Sequence, residues 1–282
     1  MTLARKTWRT LEPYHGMIYF SPEAEAAYRD LGLSGRMGYF ASRSAAMGAV
    51  SAEVVVATFA NFNPELVRQA IPAAWGIAGP EQLLAARLGA VDATLRRVLG
   101  EAVASAEMAR AATLARQAAE AIGDDSVARP LYAAHAALPW ADAPHLVLWQ
   151  AQTLLREYRG DAHLAALLTA GLNGIESLVT HAAAGGPPAE VLRLSRGWTA
   201  QRWAEALDGL RARGLLSPAA SGSEPHLTPE GARVRQEIED LTDRRSARPY
   251  EALGEDACTE LRGLVRPWSK LLATEVIGRA FG

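Results

Sequence analysis

Four times the chain opens a helix in the same way. Ser21-Pro22-Glu23, Asn63-Pro64-Glu65, Gly79-Pro80-Glu81 and Thr228-Pro229-Glu230 each set a capping or permissive residue before a proline and a glutamate. Proline at the first helical position loses nothing, because its missing N–H would have no partner there and its fixed φ is already helical. The residue ahead of it can accept from orphan N–H groups, and the acid behind it complements the helix dipole. A chain punctuated like this is built mainly of helices. The pattern predicts helices over 21–32, 63–71 and 79–100, the last with Leu83, Leu84, Leu88, Val91, Leu95 and Val98 at helical spacing.

The remaining segments extend this reading. SAEVVVATF (51–59) has a serine cap but a β-branched run, which is weak helix material. An alanine-rich helix is expected over about 101–122, and GDDS (123–126) breaks it. PHLVLWQAQTLLREY (144–158) reads as an amphipathic helix stopped by Arg159-Gly160-Asp161, and another helix should run over 162–183 to Gly185-Gly186-Pro187-Pro188. One place suggests β structure. LLSPAASGSEPHLT (215–228) has two short runs around a turn-rich tip, the pattern of a small hairpin.

With 282 residues, 49% apolar and 21% charged, the chain can bury a large core and fits one large domain or two ordinary ones. A net charge of −2 argues against a surface basic throughout, so any DNA contact must be a local patch. A single cysteine, Cys258, excludes an internal disulfide and a cysteine-based zinc site, and in its helical pattern it reads as a small buried residue. MTLARKTWRT lacks the apolar stretch of a signal peptide, and no window is long enough to span a bilayer. The expectation is a soluble cytoplasmic protein with no membrane partner.

After Pro188 the predicted order is helix (AEVLRLSRG), longer helix (WTAQRWAEALDGLRARG), hairpin, helix (TPEGARVRQEIEDLTDR). In this order LRARGLL and LTPEGARV resemble the corresponding stretch of MarR-type winged helix-turn-helix regulators, over roughly residues 165–275. The whole chain is also similar to a SalK-like family of bacterial helix-turn-helix regulators. The resemblance implies a transcription regulator that binds double-stranded DNA and a small-molecule ligand. MarR-type proteins are homodimers, with effectors often bound near the junction of the subunits.

The two halves also align with each other. SAEVVVATF (51–59) matches PAEVLRLSR (188–196), GPEQLLAARLGAVD (79–92) matches TPEGARVRQEIEDL (228–241), and VLGEA (98–102) matches ALGED (252–256). His15 with Phe20 matches His135 with Trp140. The expected fold is therefore mainly α, a tandem duplication of a winged helix-turn-helix-like unit. Residues 1–125 form a wingless first copy, and residues 126–282 a second copy with a β-hairpin wing. Such a chain is either a monomer that acts as its own pseudo-dimer or a homodimer, with the ligand in the helical region between the halves.

Aligned on the resemblance, the DNA-facing positions are Thr199, Gln201 and Arg202, where Gln201 and Arg202 could reach base edges or phosphate. Glu205 stands where the family usually carries arginine, and the expected wing tip, 217–225, holds no lysine or arginine. From Gly185 to Tyr250 there are ten arginines and nine acidic residues, so the segment offers phosphate little net attraction.

No catalytic motif stands out: no phosphate loop, no His-Glu-x-x-His, no nucleophile elbow. No cofactor, metal site or catalytic residue can be assigned, and whether the chain is an enzyme stays open. The alternative to a regulator is an enzyme or ligand-sequestering protein on the same scaffold without DNA binding. Aromatic residues crowd the first 75 positions, and a mostly apolar site needs a few polar groups. The candidate ligand residues are Tyr14, His15, Tyr19, Tyr39, Asn61, Asn63, His145 and His163. In PYHGMIYFSPE (13–23), the counterpart of His15 in the second half suggests architecture, and the tyrosines around it are the first place to look for function.

Overall fold

The computed structural model describes residues 1–218 and 225–278. In chain order the helices are α1 Leu3–Gly16, α2 Pro22–Asp30, α3 Arg36–Ser44, α4 Ala52–Thr58, α5 Pro64–Arg68, α6 Pro80–Leu99, α7 Ala106–Glu120, α8 Pro130–Ala136, α9 Pro144–Thr169, α10 Gly174–Ala183, α11 Ala189–Ser195, α12 Ala200–Ala212, α13 Pro229–Arg245, α14 Arg248–Leu253 and α15 Glu255–Leu272. The caps work as their chemistry requires. Ser21 Oγ accepts from Ala24 N, Asn63 Oδ1 from Glu65 N, and Gln82 Oε1 reaches back to Gly79 N.

The chain divides into two compact units that interleave in sequence. Unit 1 comprises Met1–Val50, Ala70–Asp161 and Asp243–Gly282; unit 2 comprises Ser51–Gln69 and Ala162–Thr242. Each unit draws on both sides of the boundary expected after residue 125. In unit 1, α15 buries Cys258, Leu261, Val265, Ser269 and Leu272 at three- and four-residue spacing and packs on α1 and α7. α6 packs on α2 and α3, with Leu83, Arg87, Ala90, Val91, Thr94 and Leu95 on its buried side. In unit 2, Ile175, Leu178 and Val179 of α10 share a core with Leu192, Trp203, Ala206, Leu210, Leu215, Leu216 and Ile238. Close approaches fix this packing. A Cβ on Gly174 would lie 1.6 Å from the carbonyl oxygen of Ala60, and one on Gly231 2.0 Å from that of Leu215.

The mainly helical expectation holds, but a winged unit is not what the chain builds. No strand or sheet occurs among the described residues. Where a hairpin was expected there is one isolated antiparallel bridge, Leu216 to Leu227, supported by Ser217 N→His226 O at 2.9 Å and Thr228 N→Leu215 O at 3.1 Å. Pro218 and Pro225 flank the bridge, and in this register the next ladder bonds would fall on 219 and 224. The expected wing tip falls mostly on 219–224, outside the described residues. The tandem winged architecture falls with the wing. Moreover, SAEVVVATF and PAEVLRLSR, assigned to different copies, lie in the same unit as α4 and α11.

Two helix boundaries also differ. α9 runs straight through Arg159-Gly160-Asp161. Within unit 1, Arg159 Nη1 donates to Asp243 Oδ1 at 2.8 Å and to Ser246 Oγ at 3.1 Å, and Asp161 Oδ2 accepts from Tyr132 N at 3.0 Å. These buried partners overrule a local glycine. The helix expected over 162–183 instead breaks at Gly171, whose φ is +67°, and restarts at Asn173. Asn173 and Glu176 close a reciprocal capping box, with Glu176 N→Asn173 Oδ1 at 3.0 Å and Asn173 N→Glu176 Oε2 at 2.9 Å.

Among the described residues no single helix is long and apolar enough to cross a membrane.

Candidate functional site

The first candidate surface belongs to unit 2. α11, a turn at Arg196–Thr199 and α12 form two successive helices, anchored by Leu192 on one and by Trp203, Ala206 and Leu210 on the other. The turn needs Gly197, whose φ is +73°. It is held from α5 and the residues before it. Asn63 N donates to Arg196 O at 2.9 Å, Asn63 Nδ2 to Gly197 O at 2.8 Å, and Trp198 Nε1 to Asn61 O at 2.9 Å. Asn61 and Asn63 therefore act here as clamps on the turn.

The clamp presents the start of α12. Thr199 caps it, its Oγ1 accepting from Arg202 N at 3.2 Å. Gln201 and Arg202 are exposed, and Glu205 one turn on engages both. Gln201 Nε2 donates to Glu205 Oε1 and Arg202 Nη1 to Glu205 Oε2, each at 3.0 Å. Further charges in unit 2 are paired in the same manner: Arg211 with Asp208, Arg213 with Glu176, Arg233 with Glu230 and Glu237. The near-neutral balance in the sequence thus corresponds to arginines that already hold carboxylates. His163 is also in unit 2, its Nδ1 3.0 Å from Thr242 Oγ1.

The second candidate is a buried polar cluster in unit 1. His15, at the end of α1, is fully buried. Its Nδ1 lies 3.0 Å from Thr153 Oγ1 and its Nε2 2.8 Å from the Tyr19 hydroxyl. The Thr153 hydroxyl donates its one proton to Trp149 O at 3.0 Å, so it accepts from His15 Nδ1–H. That leaves Nε2 to accept from the Tyr19 hydroxyl, which itself accepts from Arg87 Nη2 at 3.4 Å. The His15 ring also stacks on Trp149, 5.6 Å between centroids and 6° from parallel.

Three guanidinium groups surround the Tyr19 ring: Arg43 at 5.0 Å, Arg156 at 5.5 Å and Arg87 at 5.6 Å from its centroid. Tyr39 sits beside Tyr19 and accepts from Arg43 Nη1 at 2.9 Å. Glu157 is 3.8 Å from Arg43 and 2.9 Å from Arg156, which also reaches Glu12 at 2.9 Å. Burial pushes the Glu157 carboxyl up, but Arg156 and Arg43 outweigh it and hold it below its ordinary value. Burial, then Arg156, Arg87 and Arg43, holds His15 well below its ordinary value. Burial, then Arg87, brings His135 down to about 4.

Two further candidate residues lie next to one another in unit 1. The Tyr14 hydroxyl donates to His145 O at 3.1 Å, and burial raises its pKa. His145 Nε2 is 2.6 Å from Asp92 Oδ1. Of the eight ligand candidates, His15, Tyr19 and Tyr39 are brought into one cluster, Tyr14 and His145 pair separately within unit 1, and Asn61, Asn63 and His163 belong to unit 2. Sequence reasoning missed Arg43, Arg87, Arg156 and Glu157. The signal was present for Arg87, which falls on the Leu83–Val91 stripe of α6 where an apolar residue is expected. Among the described residues no group of three histidine, cysteine or acidic side chains is arranged to hold a metal.

Residues 4–278 match a family described as a helix-turn-helix family. No curated protein and no solved structure matches the chain.

Proposed function

The chain belongs to this helix-turn-helix family, and from that premise we propose that it is a MarR-like transcription regulator that reads double-stranded DNA with α12. In this reading it responds to a small ligand held by the His15–Tyr19 cluster. The observation that carries the DNA-binding part is the presentation of Thr199, Gln201 and Arg202. They stand exposed on the first turn of a helix whose preceding turn is clamped by Asn61, Asn63 and Trp198. A recognition helix contacts base edges from its N-terminal residues, and a rigid turn fixes its angle to the groove. Gln201 suits adenine, and Arg202 suits guanine or phosphate.

Glu205 favours a second reading, a ligand-binding or catalytic protein that keeps the helix pair without using it on DNA. A carboxylate one turn into the reading helix repels phosphate and occupies both reading side chains. Titrating labelled duplex into the purified protein at low salt separates the two. A regulator binds random duplex weakly and its own upstream DNA more tightly, and Arg202→Ala weakens both while lowering the salt slope by about one. No binding to either duplex at low salt removes the regulator reading.

A further inference from the structure

Arg87 is 3% exposed and has no ion-pair partner among the described residues. Its Nη1 donates to Ser42 O at 3.1 Å and its Nη2 to the Tyr19 hydroxyl at the long distance of 3.4 Å. Its Nε is buried with no hydrogen-bond partner. The amide nitrogen of Gln152, itself 3% exposed, is likewise buried and unpartnered. Gln152 is one helical step from Trp149 on α9, and the Trp149 ring lies 5.4 Å from the Arg87 guanidinium.

Elsewhere this chain shows what the Nε/Nη2 edge of an arginine takes. Arg68 grips Glu53 with these two nitrogens at 2.8 and 3.2 Å, Arg110 grips Glu260 at 2.8 and 2.8 Å, and Arg193 grips Glu190 at 3.0 and 2.6 Å. Arg97 and Arg233 hold Glu23 and Glu230 through the same edge. On these five arginines the edge is filled by a carboxylate; on the buried Arg87 Nε has no partner and Nη2 only the Tyr19 hydroxyl. Charge balance agrees. Among the described residues, Glu157 is shared by Arg43 and Arg156, Arg156 also holds Glu12, and neither carboxylate reaches Arg87. The Arg87 charge is left without a carboxylate, and an uncompensated buried charge is costly.

We infer that the Nε/Nη2 edge of Arg87, with the Gln152 amide, is the seat of a small monocarboxylate bound as its anion. The inference rests on the ligand-responsive reading above and names the chemical class of that ligand. A planar carboxylate matches the two parallel N–H groups, whereas a phosphate near neutral pH carries more than the single charge the cluster lacks. The rings of Trp149 and Tyr19 on the Arg87 guanidinium orient the fork and limit its approach to water.

The test uses the full-length protein, calorimetric titration and thermal shift at matched ionic strength. Acetate and benzoate are the probes, acetamide and benzamide their neutral counterparts, and inorganic phosphate the competing anion. At least one carboxylate is expected to bind, its amide and phosphate not. Arg87→Gln weakens that binding by at least about tenfold, because a charge-assisted bidentate contact is lost. Far-UV circular dichroism checks that the variant folds; if it does not, Arg87→Lys, which keeps the charge but not the fork, and Gln152→Met are the deciding variants. The inference is overturned if neither carboxylate binds, if amide or phosphate binds as well, or if the folded variants bind like the parent. The regulator reading is scored separately. If a carboxylate binds through Arg87 but leaves DNA affinity unchanged, the inference stands and the ligand response falls.

Discussion

Asp161 and two of the buried histidines of unit 1, His15 and His135, predict opposite responses to acid, and Asp161→Asn separates them. Burial raises the Asp161 carboxyl to about 6, with the neighbouring Glu157 adding to the effect and the N–H of Tyr132 opposing it. A carboxyl raised in the folded state binds more protons folded than unfolded between the two values. Its stability contribution is therefore full in acid and is lost as pH rises through that window. Against an ordinary value of 3.8, the ionised group costs up to about 3 kcal/mol above about pH 7, and at about pH 5 roughly 1.4 kcal/mol of that is recovered. Histidine runs the other way. His135, lowered to about 4, stabilises the fold above its ordinary value and loses about 2 kcal/mol by about pH 5. His15, lowered by burial and by Arg156, Arg87 and Arg43, adds a loss of the same sign. Urea unfolding at about pH 7.5 and about pH 5, followed by tryptophan fluorescence, should show the parent less stable in acid. The amide introduced by Asp161→Asn keeps an acceptor for Tyr132 N, so the variant should be more stable at neutral pH by up to about 3 kcal/mol, an advantage that shrinks by roughly 1.4 kcal/mol in acid. An advantage equal at both pH values would refute the raised carboxyl, and a parent more stable in acid would refute the buried neutral histidines.

Removing the carboxylate of α12 with Glu205→Ala frees Gln201 and Arg202; duplex affinity at low salt, read by fluorescence polarisation, should rise by about three- to tenfold. The same change should leave the melting temperature nearly unmoved, because exposed ion pairs contribute at most about 1 kcal/mol. Gly174→Ala drives a Cβ into the Ala60 carbonyl, and chemical denaturation should show a loss of at least about 3 kcal/mol. Trp198→Phe removes the indole donor from Asn61 O; the orphaned carbonyl should cost about 1–2 kcal/mol, and hydrogen exchange at the α11–α12 turn should quicken.

What could be read from the sequence was whatever local chemistry decides. The cap of α2 at Ser21 and that of α5 at Asn63 are written in three residues each, and the structure uses them as written. The helix pair at α11 and α12 was legible for the same reason. What failed was decided by partners far along the chain. Arg159-Gly160-Asp161 reads as a stop, yet Asp243, Ser246 and Tyr132 hold it in a helix. The hairpin reads well by composition, but the described residues pair at one bridge only. No local signal says that the Asn61 carbonyl and the Asn63 side chain hold the turn at Gly197. Arg87 was hidden differently: a charged residue on an apolar stripe is visible in the sequence, but its lack of a carboxylate is visible only in three dimensions.

The parallel stack of His15 on Trp149 makes unit 1 an optical instrument. A neutral imidazole leaves the excited indole largely undisturbed, while a protonated one accepts its electron and darkens it. Inside the closed cluster His15 is kept neutral, so Trp149 should emit brightly. When water enters and the ring takes a proton, the emission should fall before the helices melt. With the other six of the seven tryptophans replaced, fluorescence intensity would follow the opening of this one cluster in real time.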